Sequence, residues 1–181
     1  MSGTLVVLSG PSGVGKDTLI DAWIKANPLV TRVVTYTTRP PREGEVDGRD
    51  YNFVDAERFA ELDEQGWFWE SKNVYGNMYA SPKADTERLL AGGKIPVLKI
   101  DVQGAIEVMR LRPDAVTVFI LPPSDEELER RIRARGTDDD ATIGKRLVNA
   151  ARELALAGRY QHQIVNDDVN QVVRELEEVV R

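Results

Sequence analysis

Short apolar runs alternate along the chain with amphipathic segments, and this alternation predicts an α/β fold. The runs lie at residues 5–8, 30–34, 95–100, 116–121 and 164–166. Continuous apolar runs of this length are typical of strands in a parallel sheet that is covered on both faces. Helical spacing follows most of them, which is the order of a doubly wound sheet.

The predicted helices are bounded by residues that cap or break helices. Asp55 is placed to cap one helix and Gly66 to close it, and the pair Ser81 and Pro82 is predicted to open the next. Between that closing glycine and Ser81, residues 67–70 suggest a strand and residues 75–79 a turn. The helical segments are expected at 19–26, 55–65, 82–91, 105–112, 125–135, 141–157 and 169–180.

Two segments interrupt the βα order and are interpreted as insertions in one domain. Residues 35–83 combine short strands with paired prolines and glycines, which predicts a small α+β lobe. Residues 126–158 form two arginine-rich helices around a polar hinge, as a lid that moves over phosphate would require. The core is expected to consist of residues 1–34, 84–125 and 159–181.

The clearest chemistry lies in the sequence GPSGVGKDT, which begins at Gly10. The spacing from Gly10 to Gly15 and Lys16, between a buried strand and a helix, is that of a P-loop. Its glycines let the backbone N–H groups face inward at a helix N-terminus, where they bind phosphate. The alternative is an ordinary glycine-rich βα turn, and the strand and helix on either side favour the P-loop.

The last place of the P-loop motif departs from the pattern. Asp17 stands where Ser or Thr normally supplies a hydroxyl to Mg²⁺, and Thr18 follows it. A carboxylate suits both Mg²⁺ and a helix N-terminus. It also adds negative charge beside the nucleotide phosphates unless metal or Lys16 compensates it. Asp17 is therefore a candidate Mg²⁺ ligand whose effect the sequence leaves open.

Composition narrows the class of protein further. The chain has 181 residues, 41% hydrophobic and 30% charged, as expected of a soluble globular enzyme with one core. A net charge of −6 argues against a broad nucleic-acid surface. The absence of cysteine excludes disulfides and thiolate metal sites, and the single His162 excludes histidine clusters. Without a membrane-length apolar run or a signal peptide, the protein is expected in the cytoplasm, with no membrane partner.

Further polar residues could form a second anion site. Arg39 and Arg42 lie in a loop shortly before Tyr51. Loop arginines are usually solvated, but beside a P-loop their guanidinium groups could bind a second phosphate. Glu70 could likewise be a solvated strand residue. Its carboxylate would also suit the adjacent N–H donors of guanine and reject adenine, with hydroxyls such as Thr35 to bind the guanine oxygen.

Helical arginines in the lid segment offer two interpretations. Arg131 and Arg135 share one helix face, and Arg146 follows on the next helix. They could be exposed residues that pair with Glu127 or Glu129. They could also bind a phosphoryl group in transfer.

With these residues assembled, the sequence resembles the guanylate kinase family over nearly its whole length. The motif GPSGxGK is present at 10–16, and TTRxPRxGExxGxDYxF matches residues 37–53. IDVQG stands at 100–104, and IVND at 164–167. The pattern with PPS and RGTD spans 122–138. The resemblance implies a P-loop core with a doubly wound parallel sheet, an inserted GMP-binding α+β lobe and a helical lid.

The resemblance also implies roles for individual residues. Guanine would be surrounded by Thr35, Glu70, Ser81 and Asp101. The GMP phosphate would be held by Arg39, Arg42, Tyr51 and Tyr79. The ATP-binding residues would be Gly10, Pro11, Ser12, Gly13, Val14, Gly15, Lys16, Asp17, Thr18, Arg131, Arg135 and Asn166. Catalysis would rest on Lys16, Arg42, Arg131, Arg135 and Arg146.

The implied reaction is transfer of the γ-phosphoryl group of MgATP to GMP, with Mg²⁺ as cofactor and no protein partner implied. Three departures from the family pattern stand out: Asp17, Met78 with Ala80, and Lys99 in place of a common acid. Lys99 could pair with Asp101 or attract phosphate. Two other functions remain open, a ribose 1,5-bisphosphate phosphokinase and a non-catalytic module that binds protein ligands.

Overall fold

The computed structural model describes residues 3–74, 76–134 and 139–181. The strands are β1 (Val6–Ser9), β2 (Val30–Arg32), β3 (Tyr36–Thr37), β4 (Asn52–Phe53), β5 (Phe68–Val74), β6 (Asn77–Pro82), β7 (Ile95–Lys99), β8 (Val116–Leu121) and β9 (His162–Val165). The helices are α1 (Lys16–Ala26), α2 (Ala56–Glu64), α3 (Lys83–Ala91), α4 (Val102–Leu111), α5 (Asp125–Ala134), α6 (Asp140–Leu154) and α7 (Val169–Val179), with a short 3₁₀ helix at Ala157–Arg159.

Five strands form a parallel sheet in the order β2-β7-β1-β8-β9. The central strand β1 is fully buried, and Leu8 lies opposite Lys99 on one side and Val118 on the other. The predicted parallel α/β sheet is confirmed. The order reverses direction around β1, so the carboxyl ends of β1 and β7 flank a crevice of the kind that binds ligands in open α/β sheets.

Apolar side chains cover both faces of this sheet. Trp23 of α1 packs with Leu176 of α7 on one face, and Val108 of α4 packs with Phe119 on the other. One polar contact joins α1 to α7, because the Glu177 carboxylate accepts a hydrogen bond from the Trp23 indole N–H. These contacts hold helix α1 against the core, and the glycine loop leads directly into this helix.

A second, four-stranded sheet lies within residues 35–83, in the order β4-β3-β6-β5. Helix α2 covers it with an apolar cluster that includes Phe59, Leu62 and Phe68. Asp55 caps α2, as predicted, because its side chain accepts a hydrogen bond from the Arg58 N–H. An α+β segment at this place in the chain is therefore present.

One local prediction in this segment was wrong. The sequence suggested a turn up to residue 79 and a helix that starts at Pro82 with Ser81 as its cap. Instead β6 pairs antiparallel with β5 as far as Pro82, and α3 begins at Lys83. Pairing along the long β5 strand outweighs the local preference of a serine-proline pair for a helix start, and it places Ser81 on the sheet.

Helices α5 and α6 occupy the segment interpreted as a lid. Of the predicted polar hinge at residues 136–140, residues 136–138 lie outside the described residues, and Asp139 caps α6. The two helices pack against the core through apolar residues that include Leu128, Ile132 and Ile143, in the cluster that also contains Val14 of the glycine loop. In the part of the chain that the structure describes, no helix has the length and apolar character needed to span a membrane.

Candidate active site

The glycine loop joins β1 to α1 and has the geometry expected of a phosphate cradle. Gly13 and Gly15 have left-handed backbone conformations, with φ of 87° and 96°, which residues with a Cβ rarely adopt. Gly15 is also the N-cap of α1, and it has no side chain that could cap the helix. These donors, at the positive end of the helix dipole, suit an anionic ligand.

Lys16 opens α1 and lines a pocket of about 470 Å³ next to the loop. Its Nζ donates hydrogen bonds to the carbonyl oxygens of Gly10, at 2.5 Å, and Pro11, at 3.0 Å. The ammonium group thus lies along the loop beside its amide donors. The same pocket is lined by Ser12 and Thr18, both of them exposed.

Two residues outside the loop brace it through one carbonyl group. Val14 O accepts a hydrogen bond from the buried Asn166 Nδ2 at 2.7 Å and a second from Arg131 Nη1 at 3.3 Å. Arg131 also binds Asn166 O at 3.3 Å and the Glu127 carboxylate at 2.7 Å. Arg131 thus pairs with Glu127, as the first interpretation predicts, and it also contacts the glycine loop; its binding of a phosphoryl group stays a prediction.

Asp17 takes part in an ion-pair network that connects α1, β2 and β7. Its Oδ1 accepts hydrogen bonds from Arg32 Nη1 at 2.6 Å and from Lys99 Nζ at 2.7 Å. Desolvation works to raise the pKa of Asp17, but hydrogen bonds and charge from Lys99 and Arg32 outweigh it and hold the pKa at about 2. The carboxylate is ionised at neutral pH, and its charge is compensated by two cations that the sequence did not suggest as its partners.

A smaller pocket of about 120 Å³ lies beside the first, between the two sheets. It is lined by Thr35, Tyr51, Glu70, Lys72, Tyr79, Ala80, Ser81, Lys99, Ile100 and Asp101. The structure thus brings together all four residues expected around guanine. Ser81 donates a hydrogen bond of 2.6 Å to Glu70 Oε1, because these residues are paired across β5 and β6.

The first turn of α4 closes one side of the Glu70 carboxyl group. A Cβ on Gly104 would lie 3.1 Å from the carboxyl carbon of Glu70, which is closer than side chains normally approach. The same turn is capped by Asp101, which accepts a hydrogen bond from the Gly104 N–H at 3.0 Å. A glycine at position 104 therefore lets the lobe and the core meet at the acidic side chain.

Lys72 is a pocket residue that the sequence analysis missed. Its ammonium group pairs with the Asp101 carboxylate, and burial lowers the pKa of Lys72 against the opposing charge of Glu70. Strand periodicity could have found it, because residues two apart on β5 face the same side as Glu70. The carboxylate of Asp101 is thus shared between a helix cap and an ion pair.

Arg39, Tyr51 and Tyr79 form one cluster at the edge of the smaller pocket. Arg39 Nε donates to the Tyr79 hydroxyl at 3.2 Å, and its Cζ lies 5.4 Å from the centre of the Tyr51 ring. The other two guanidinium nitrogens donate to the two oxygens of Glu45, a partner that the sequence analysis did not single out. The side chain of Arg42 is exposed, and its N–H donates to Glu45. Three of the four expected phosphate residues are thus in contact.

The segment interpreted as a lid contributes Glu153 to the phosphate pocket. Arg146 is half-buried on α6, whereas Arg135 lies outside the described residues. Glu153 of α6 lines the phosphate pocket, where burial raises its pKa against the opposing charges of Lys16 and Lys72. No motif marked Glu153, since its pocket is assembled from segments more than a hundred residues apart.

The chain matches known proteins over its full length. The family model described as "Guanylate kinase" matches residues 2–181. The chain belongs to the guanylate kinase family. A guanylate kinase from Aromatoleum aromaticum is 46% identical over all of this chain and 89% of its own. One from Oleidesulfovibrio alaskensis is 49% identical over 97% of this chain and 85% of its own.

Solved structures agree with this guanylate kinase assignment. The crystal structure of guanylate kinase from Anaplasma phagocytophilum has a TM-score of 0.76 at 35% identity, and the match covers 99% of this chain and 85% of that one. A shikimate kinase from Bacteroides thetaiotaomicron has a TM-score of 0.53 at 18% identity, over 97% of each chain, and so shares the fold alone. The chain has the α/β fold of P-loop kinases and is a nucleoside monophosphate kinase.

Proposed function

We propose that the protein transfers the γ-phosphoryl group of ATP to GMP, giving ADP and GDP. The observation that carries this proposal is that two pockets of different character share a wall. The pocket at the P-loop and the pocket at Glu70 have Tyr51, Lys99, Ile100 and Asp101 in common. Two nucleotides bound in them would meet with their phosphates towards that wall.

The smaller pocket is the proposed GMP site. Glu70 would accept hydrogen bonds from the adjacent N–H donors of guanine, and Thr35 and Ser81 would supply hydroxyls nearby. Adenine has no such pair of donors, so it would leave the carboxylate unsatisfied. Lys72 ties the Asp101 carboxylate to β5, which supports the shape of the pocket.

The phosphate of GMP is proposed to bind at the cluster of Arg39, Tyr51 and Tyr79, with the exposed Arg42 reaching it from the loop. A guanidinium fork matches two phosphate oxygens, and phenolic hydroxyls add single donors. In this structure the fork of Arg39 holds the Glu45 carboxylate. A phosphate would therefore compete with, or bind beside, an internal anion of similar geometry.

The larger pocket is the proposed ATP site. The loop amides and Lys16 would hold the β- and γ-phosphates, and Asn166 would lie near the adenine. Arg131 touches the loop at Val14, and it is proposed to bind the transferred group together with Arg135 and Arg146 of the lid segment. We propose that residues 35–83 and 126–158 close over the core when both nucleotides are bound, which would exclude water.

The proposed mechanism is a direct in-line transfer. An oxygen of the GMP phosphate forms a bond to the γ-phosphorus of ATP as the bond to the β,γ-bridging oxygen breaks, and ADP leaves with that electron pair. The acceptor is already an anion, so no general base is required. The chain's contribution is to position the two phosphates and offset their repulsion with Lys16 and the arginines.

Mg²⁺ fits this site as a partner of ATP. Within residues 3–74, 76–134 and 139–181 no group of three or more acidic or histidine side chains could hold a metal by itself. Asp17 and Thr18 nevertheless place a carboxylate and a hydroxyl at the phosphate pocket. A carboxylate has about four lone-pair sites, so two cations on Oδ1 do not exhaust it. We propose that Asp17 contacts Mg²⁺ directly or through water, where the ion neutralises phosphate charge.

The test is an acceptor panel with ATP and varied Mg²⁺. GMP, AMP and ribose 1,5-bisphosphate are offered separately, and ADP release and the phosphorylated product are quantified. We expect GDP, with kcat/KM for GMP at least ~100-fold above that for AMP. Preference for ribose 1,5-bisphosphate, or no product from any acceptor, would overturn the proposal in favour of the other two functions.

The cytoplasm, where ATP is available, remains the proposed location.

A further inference from the structure

Two departures from the guanylate kinase pattern, 82 positions apart in sequence, meet in the structure. Lys99 and Asp17 are two of the positions at which the sequence departs from the motifs that carry the resemblance. Their side chains form an ion pair with Lys99 Nζ 2.7 Å from Asp17 Oδ1. An acid at the start of α1 is thus paired with a cation at the end of β7.

The position of Lys99 indicates a function for its ion pair with Asp17. Lys99 is the last residue of β7, at the carboxyl edge of the sheet, and it lies opposite Leu8 just before the glycine loop. It lines both the P-loop pocket and the pocket at Glu70. An ammonium group at this boundary faces the region through which a phosphoryl group would pass.

The surrounding charges hold Lys99 without burying it. The side chain of Lys99 is 33% exposed to solvent, so its ammonium group is accessible to a ligand. On the other side of Asp17, Arg32 binds the same Oδ1 and also pairs with Asp21 at 2.9 Å. Asp17 is therefore fixed by two elements at once, and it fixes the lysine in turn.

We propose that Lys99 is a further phosphoryl-binding residue of this enzyme and that Asp17 is its positioning residue. The proposal rests on the proposed function, because it assigns Lys99 to the phosphates that meet at the shared wall. Charge that develops between the two nucleotides is best stabilised by cations already in place, since these need no reorganisation during the reaction. Asp17 supplies that preorganisation, and it also prevents the lysine from pairing with Asp101.

The first test compares K99M, K99R and wild type for GMP phosphorylation at saturating Mg²⁺. Removing one transition-state cation is expected to lower kcat roughly 10- to 100-fold, with KM for either nucleotide changed less than kcat. K99R keeps the charge and is expected to recover most of the loss. The control K94M removes a lysine just before the other end of β7 and is expected to stay within about twofold of wild type.

The second test separates positioning from stability. If Asp17 acts on kcat through Lys99, kcat of the double variant D17N/K99M at saturating Mg²⁺ equals that of K99M, because the two losses share one cause. Thermal unfolding of every variant is followed in parallel, and a variant that fails to fold is replaced by K99Q. A merely structural pair would lower the melting temperature and leave kcat of the folded enzyme unchanged.

The outcomes distinguish this inference from the proposed function. If the wild type forms GDP and folded K99M has the kcat of the wild type, the proposed role of Lys99 is overturned and the proposed function stands. Effects of D17N and K99M that multiply would overturn the positioning by Asp17. Wild type that forms no GDP would overturn the proposed function itself, whatever the variants do.

Discussion

The two pockets of this kinase differ in whether backbone groups or side chains supply their main polar contacts. In the P-loop pocket the phosphate-binding donors come from one short segment, residues 10–18, whose glycine amides and helix N-terminus are backbone groups. The pocket at Glu70 is formed by side chains from several strands of two sheets. The first is the proposed site for phosphate, a feature common to all nucleotides, whereas the second is proposed to recognise one base.

This difference has a consequence for how each pocket responds to change. Backbone donors are fixed by the fold, so the P-loop pocket depends on the few side chains that complete it. The other pocket depends on every side chain that lines it, and on contacts such as that from Ser81 to Glu70. Substitutions should therefore affect overall rate in the first pocket and selectivity in the second.

The largest effect is expected from Lys16→Met in the P-loop pocket. Lys16 is the proposed cation at the β- and γ-phosphates, and its loss should lower kcat by ~10³-fold or more, equally with GMP and dGMP as acceptor. Steady-state assays with both acceptors check this. Lys25→Met, in the last turn of the same helix, is the matched control, and a loss confined to one acceptor would contradict the comparison.

The next effect is expected from Glu70→Gln in the other pocket. The new amide group can accept from only one guanine donor and presents its own N–H groups to the other, so kcat/KM for GMP should fall by roughly 100-fold. Because the AMP reaction gains or loses little, the GMP-to-AMP preference should fall by a similar factor. Glu57→Gln on α2 serves as control, and an equal loss with both acceptors would show that Glu70 does not select the base.

A smaller effect is expected from Asp17→Ser, which restores the usual P-loop residue. If Asp17 contacts Mg²⁺, the variant should remain active but shift the Mg²⁺ concentration that gives half-maximal rate by roughly threefold or more. A Mg²⁺ titration at fixed total ATP measures this. Superimposable curves for wild type and variant would rule out a metal contact at Asp17.

The smallest effect concerns stability and pH. The folded pKa of Asp17, about 2, lies below its ordinary value of 3.8, so its ion pairs stabilise the fold above about pH 4 and lose this contribution as the pH falls towards 2. At neutral pH, Asp17→Asn should melt roughly 1–3 °C below wild type, as expected for an exposed ion pair. The gap should close between pH 4 and 2, and a gap that stays constant would contradict the assignment.

Sequence-based prediction succeeded where the information is local. The P-loop lies in nine consecutive residues, and its flanking strand and helix have clear apolar periodicity, so both the loop and the parallel sheet could be predicted. The helix cap at Asp55 was equally local. The fold of the segment 77–82 was not local in this sense, since its asparagine and proline favour turns and only pairing with β5 makes it a strand.

The partners of the site residues could not be predicted, because they depend on strand order. The placement of β7 beside β1 brings Lys99 to Asp17, and nothing in either segment alone indicates that neighbour. The bidentate contact of Glu45 with Arg39 lies within six residues, but it depends on a loop conformation that periodicity does not determine. The resemblance predicted which residues line the pockets. Their ion pairs with one another could be identified only from the structure.

The close approach of Gly104 to Glu70 bears on the proposed choice of base. Gly104 belongs to helix α4 of the core, yet a Cβ there would lie 3.1 Å from the carboxyl carbon of Glu70 in the lobe, a contact tighter than most. A mutation to alanine would require a shift of a few tenths of an ångström at this contact, without adding any group that recognises a nucleotide. Substrate range could thus drift through clearance at a neighbouring helix, and an engineer who seeks altered base preference should begin at position 104.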